Sequence, residues 1–81
     1  MKLNKGSVVR ATAGRDSGKL FAVTDIQGGY CFIADGKSRK LSSHKRKNVK
    51  HICPTDSMIN LNDNITDKKL RNLLRQLAEE E

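Results

Sequence analysis

Aromatic residues are scarce in this chain. Phenylalanine and tyrosine number only three among its 81 residues, Phe21, Tyr30 and Phe32, and there is no tryptophan. Single-strand binding platforms rely on rows of rings, so base stacking is expected to count for little. Long apolar runs are missing too. Nothing approaches the roughly 18–20 residues that cross a bilayer, and no apolar leader follows Met1-Lys2. A membrane partner is therefore not expected, and a cytoplasmic location is. Cysteine is limited to Cys31 and Cys53, without framework spacing, which suits a reducing compartment and argues against a disulfide. Acidic residues are thin in one part of the chain. Residues 1–51 hold twelve basic and three acidic residues, whereas residues 52–81 hold four basic and six acidic. A one-sided positive field draws polyanions such as RNA or DNA.

A chain this short makes one domain with a thin core, burying only roughly 60–65% of its unfolded surface. An enclosed active site has little room, and no catalytic constellation stands out. Cys31 with His44, or Cys53 with His51, would pair a nucleophile with a base, but neither sits in a recognisable context. No Cys-x-x-Cys pair accompanies His51 and Cys53, so no metal is expected. The segment Gly14-Arg15-Asp16-Ser17-Gly18-Lys19 superficially resembles a phosphate loop. It has three residues between its glycines where that loop needs four, and Leu20 follows the lysine where Ser or Thr is required. The chain therefore reads as a non-enzyme, with no cofactor and no small-molecule substrate.

From Gly6 to about Ile52 the pattern is β. Runs rich in β-branched and aromatic residues alternate with turn signals. The predicted strands are Ser7–Ala11, Leu20–Ile26, Tyr30–Ala34, Ser38–Leu41 and Asn48–Ile52. Asp35-Gly36 and Gly28-Gly29 are the tight-turn signals between them. Five short strands in so few residues are most economically arranged as a small bent barrel that hides its edges. Val8, Phe21, Val23, Phe32, Ile33, Leu41, Val49 and Ile52 are its expected core, though bulges leave each strand's inward face open. Residues 54–65 read as a connector, with Met58, Ile59 and Leu61 able to pin it back. Leu70, Leu73, Leu74, Leu77 and Ala78 then mark one face of an amphipathic helix over 66–81. Thr66 is its predicted N-cap. The acidic end, Glu79 to Glu81, opposes the helix dipole and is expected to fray. An isolated helix of this length is marginal, so the leucine stripe must pack on something: the barrel, or else a partner.

The basic residues fall into two groups. Arg15 and Lys19 project from the Gly14–Lys19 loop. Lys37, Arg39 and Lys40, then His44, Lys45, Arg46, Lys47, Asn48, Lys50 and His51, form the densest run. A charge run is ordinarily a solvated face. Here few acids lie nearby to neutralise it, and crowding like charges costs stability unless a partner offsets it. Clustered cations gain affinity for nucleic acid by releasing its counterions.

Gly6-Ser7-Val8-Val9, Ala13 to Gly18, and Phe21-Ala22-Val23 together resemble the KOW motif. With Ala34 to Lys40 and Lys45 to Ile52, the stretch 5–52 is similar to short prokaryotic KOW-domain RNA-binding proteins. These are related to the eukaryotic-type large-subunit ribosomal protein L fourteen e. The resemblance implies a small five-stranded SH3-like barrel over 1–53 and binding to structured RNA, often ribosomal. Arg15, Lys37, Arg39, Lys40, Lys45, Arg46, Lys47, Asn48, Lys50 and His51 fall on the family's basic blocks. Ser17 stands where Lys is common, which is expected to weaken one phosphate contact. His44 stands where Pro is common, which is expected to loosen the lead-in to the last strand. The helix lies outside this resemblance. The reading is a mainly β, monomeric, cytoplasmic RNA-binding protein that partners ribosomal RNA or the ribosome. A protein-interaction module of the translation or transcription machinery, using the barrel or the leucine helix, is the alternative.

Overall fold

The structure, a computed structural model, describes residues 3–62 and 64–80. Of the charged residues, Lys2, Asp63 and Glu81 lie outside that range. Five antiparallel strands form one sheet in the order β4-β3-β2-β1-β5. They are β1 (Ser7–Ala11), β2 (Leu20–Gln27), β3 (Tyr30–Ala34), β4 (Lys45–Asn48) and β5 (Ile52–Met58), followed by helix α1 (Asp67–Glu79).

The first three strands form where β-branched and aromatic runs predict them. The last two are displaced. Ser38–Leu41 is not a strand, because Asp35 diverts its backbone. The Asp35 carboxylate accepts from the N–H groups of Lys37 and Arg39 at 2.9 and 2.8 Å and from the Ser38 hydroxyl at 3.1 Å. Such local side-chain bonds compete directly with a ladder. A 3₁₀ turn at Leu41–Ser43 follows, and β4 starts only at Lys45. Asn48–Ile52 is not one strand either. The Asn48 side chain accepts from the Lys50 N–H and caps a second 3₁₀ turn, Val49–His51. β5 then runs through residues 54–58 of the expected connector. Pro54 is tolerated there because β5 is an edge strand whose other side needs no N–H.

The sheet is curled. β4 and β5 are four strand spacings apart, roughly 19 Å if the sheet were flat. Only the Val49–His51 turn joins them, and the four Cα steps from Asn48 to Ile52 span at most roughly 14 Å. The edges must therefore approach. No ladder closes them: the pairs among the described residues are β1–β2, β1–β5, β2–β3 and β3–β4.

Both faces of the curl bury apolar groups. Val9, Ala11, Phe21, Val23, Cys31, Ile33 and Ile52 fill the inside, where Val9 lies opposite Phe21 and Val23 opposite Ile33. The outer line runs Val8, Ala22, Ala34, each opposite the next. There it meets Ile59, Leu70 and Leu74. Of the expected core, Val8 thus belongs to the outer face, and Phe32, Leu41 and Val49 are only half-buried.

Helix α1 begins as its sequence predicts, with the Thr66 hydroxyl accepting from the Lys69 N–H at 3.1 Å. Asp67 also accepts from the Leu41 N–H at 2.8 Å, tying the helix to the β3–β4 connection. The backbones touch at Gly36 (φ +78°), where a Cβ would collide with the Asp67 carbonyl. The leucine stripe is largely consumed by the sheet: Leu70 and Leu74 are buried, Leu77 is half-buried, and Leu73 stays exposed. No described helix is long and apolar enough to cross a membrane.

Candidate nucleic-acid interface

The Gly14–Lys19 loop joins β1 to β2 and is closed by its own backbone. Gly18 N–H donates to Ala11 at 2.8 Å, and Lys19 N–H to Asp16 at 3.0 Å. Arg10 Nη1 reinforces it, donating to the Gly18 carbonyl at 2.6 Å. Within this loop Asp16 turns inward, with only 3% of its surface exposed.

Asp16 is the point where the two basic regions meet. Its Oδ2 lies 3.3 Å from Arg39 Nη2 and 3.4 Å from Lys45 Nζ. Next to it, Lys47 Nζ donates to the Ala13 carbonyl at 2.9 Å. Strand register explains these placements. Lys45 pairs with Ile33 and Lys47 with Cys31, so both stems share the face of those core residues and reach across its rim. Lys47 is 8% exposed. Its stem packs with the core while its ammonium is satisfied by a carbonyl. Lys47, and to a lesser degree Arg39 and Lys45, are thus spent holding the loop. Arg15, Lys19, Lys37, Lys40, Arg46, Lys50 and His51 remain exposed.

Burial alone would raise the Asp16 carboxyl, but Arg39 and Lys45 outweigh it and hold its pKa below the ordinary 3.8. The unfolded chain therefore takes up a proton here more readily than the folded one. The resulting stability is present in full above 3.8 and is lost as pH falls through the lowered value. Both cationic partners are about a third exposed, so solvent screens the pair. Asp16→Asn should cost about 1–2 kcal/mol at neutral pH. It should also flatten the acid limb of the stability profile. Thermal melts of both proteins down a pH series measure this, and parallel profiles would contradict the assignment. Burial likewise pushes the Cys31 thiol up, despite the pull of Lys47. Cys31 is a core thiol, and Cys53 is free and exposed.

The outer side of β3 and β4 carries a different set. Tyr30 and Phe32 alternate with Cys31 and Ile33, so their rings face outward. The Arg46 guanidinium lies 4.8 Å from the Tyr30 ring centre. The His44 ring stacks 4.7 Å from Phe32, tilted by 32°. Asn48, opposite Tyr30, is occupied in capping the 3₁₀ turn.

Two residues escaped the sequence reading. Arg71 and Arg75 line a cleft of about 310 Å³ with Lys19 and Lys37, floored by Leu20 and Leu74. The net acidity of residues 52–81 hid them. Their signal was helical spacing: each follows a stripe leucine, Leu70 or Leu74, and so borders the docked face.

No family profile matches the chain. It is 28% identical over 72 residues to the large ribosomal subunit protein eL14 of Sulfolobus acidocaldarius, covering 88% of this chain and 75% of that protein. A match that long extends into α1 whichever end is trimmed. The similarity therefore reaches beyond residues 5–52.

Proposed function

We propose that this chain is a non-catalytic, cytoplasmic RNA-binding protein that docks on structured RNA, ribosomal RNA foremost, through the basic face of its curled sheet. The observation that carries this reading is the meeting of the Gly14–Lys19 loop with the 37–51 segment around Asp16. The similarity to a large-subunit ribosomal protein supports RNA over other polyanions. An SH3-like, KOW-type barrel is the fold this reading implies. The three-residue turn that draws β4 towards β5 supports it. The chain acts as one monomeric domain, with α1 docked on the sheet.

The direct phosphate contacts are Arg15, Lys19, Lys37, Lys40, Arg46 and Lys50, with His51 as a further donor. Arg71 and Arg75 extend the face across the cleft. Arg39, Lys45 and Lys47 act indirectly by holding the loop in position. Pre-placed cations lose less freedom on binding, which favours docking on an RNA of fixed shape.

The test is Arg46→Glu with Lys50→Glu, measured by fluorescence anisotropy on a large-subunit ribosomal RNA fragment. Both residues are exposed, so the melting temperature should hold. Affinity should fall at least about tenfold, and the slope of log K against log salt should shrink by about 2, one per lost contact. Equal binding by variant and parent would show that this face is not the docking surface.

A further inference from the structure

We propose that the outer face of β3 and β4, which shares Arg46 with the phosphate-binding surface, is a stacking seat for an unpaired RNA base. The inference rests on the RNA-binding reading and adds a second mode of recognition to it. Three rings are few for a chain of this length, but the register gathers two of them on one face of β3. Tyr30 and Phe32 stand two residues apart, on the side of the sheet away from Cys31 and Ile33. Helix α1 covers the outer line through Val8, Ala22 and Ala34 and leaves these rings open. Tyr30 is 43% exposed and Phe32 half-buried.

Each ring already has a flat companion. Arg46 lies over Tyr30, and His44 lies against Phe32. His44 is held in place from β2. Thr24, at the irregularity in the β2–β3 register, places its hydroxyl oxygen 3.2 Å from the Phe32 carbonyl. The same oxygen lies 2.6 Å from His44 Nδ1. Either ring tautomer of His44 makes this bond, and in both the contact at Nδ1 leaves Nε2 to meet a ligand. Four planar groups, from β3, β4 and the residue that leads into β4, thus share one surface.

The surrounding charge selects the occupant. Arg46 on β4 and Lys50 in the turn that follows it are exposed. The acid on this face, Asp25 opposite Phe32, is matched by Lys5 at 3.8 Å. Flat π surfaces rimmed by cations suit a nucleobase attached to its phosphates, since stacking accepts any base and the cations hold the backbone.

The probe is an RNA hairpin with a short single-stranded adenosine extension, one adenine replaced by 2-aminopurine. A second hairpin carries the same extension without bases. The parent should bind the intact extension about five- to hundredfold more tightly than the abasic one and quench 2-aminopurine. Tyr30→Ala should abolish both effects while keeping its melting temperature and salt slope. Tyr30→Phe, which retains the ring, should preserve them. Equal affinity of the parent for both hairpins, or an undiminished base preference in Tyr30→Ala, overturns the stacking seat while leaving phosphate docking intact. Failure of the parent to bind any hairpin overturns both readings.

Discussion

Raising monovalent salt from about 50 to about 200 mM should weaken RNA binding by about three hundred- to two thousandfold. The figure follows from which cations are available. Arg15, Lys19, Lys37, Lys40, Arg46 and Lys50 are exposed, and each phosphate neutralised releases condensed counterions. Six contacts correspond to a slope of log K against log salt between about −4 and −5.5, the lower end for single strands and the upper for duplex. The slope also counts the interface. Were Arg39, Lys45 and Lys47 direct contacts, it would steepen by about 2–3 units. Engagement of Arg71 and Arg75 would add almost as much, and Arg71→Gln with Arg75→Gln would then remove it. Titrations over a salt series, with the same ribosomal RNA fragment throughout, supply the number. An affinity indifferent to salt would remove the electrostatic mechanism altogether.

Phe21→Ala should unfold the protein under conditions where the parent is stable. Phe21 is wholly buried within the curl, packed with Val9, Val23, Ile33 and Ile52. Truncating such a ring removes its transfer free energy and leaves a cavity, about 3–5 kcal/mol together. A domain of this size has about 4–12 kcal/mol in total. The melting temperature should therefore fall by at least about 12 °C, as read by circular dichroism. RNA binding should fail with it, because β4 reaches the sheet only through β3 and carries Lys45 and Lys47. Phe21→Leu, which keeps most of the volume, should lose far less. A loss under about 1 kcal/mol for the alanine variant would mean that Phe21 is not the centre of the core.

Much of the local structure was legible. β1 and β3 follow their runs of β-branched and aromatic residues, and α1 follows its leucine spacing down to the Thr66 cap. These elements are specified by nearest neighbours and by one-sided apolarity. β5 was not legible. Residues 52–58 include Pro, Asp and Ser, poor strand formers, and they extend because β1 offers a ladder from far along the chain. The misplaced fourth strand has the opposite cause, a single aspartate making several local hydrogen bonds that outweigh β propensity.

For the candidate site, composition and order along the chain determined that a basic surface exists and which half of the molecule carries it. Which cations are usable was decided in three dimensions. Lys45, Arg46 and Lys47 are equivalent in a list of charges. Strand alternation sends the first and third towards Asp16 and Ala13, and the second over Tyr30. The same geometry made an asset of the shortage of aromatics, since pairing of β3 with β4 sets two rings and a guanidinium on one face, where the residue before β4 adds an imidazole. It also returned Arg71 and Arg75 to the basic side of a chain whose last thirty residues are acidic on balance. Charge totals and propensities are properties of residues. Facing, burial and neighbourhood belong to the register of the sheet and the docking of the helix, and no local stretch of sequence contains them.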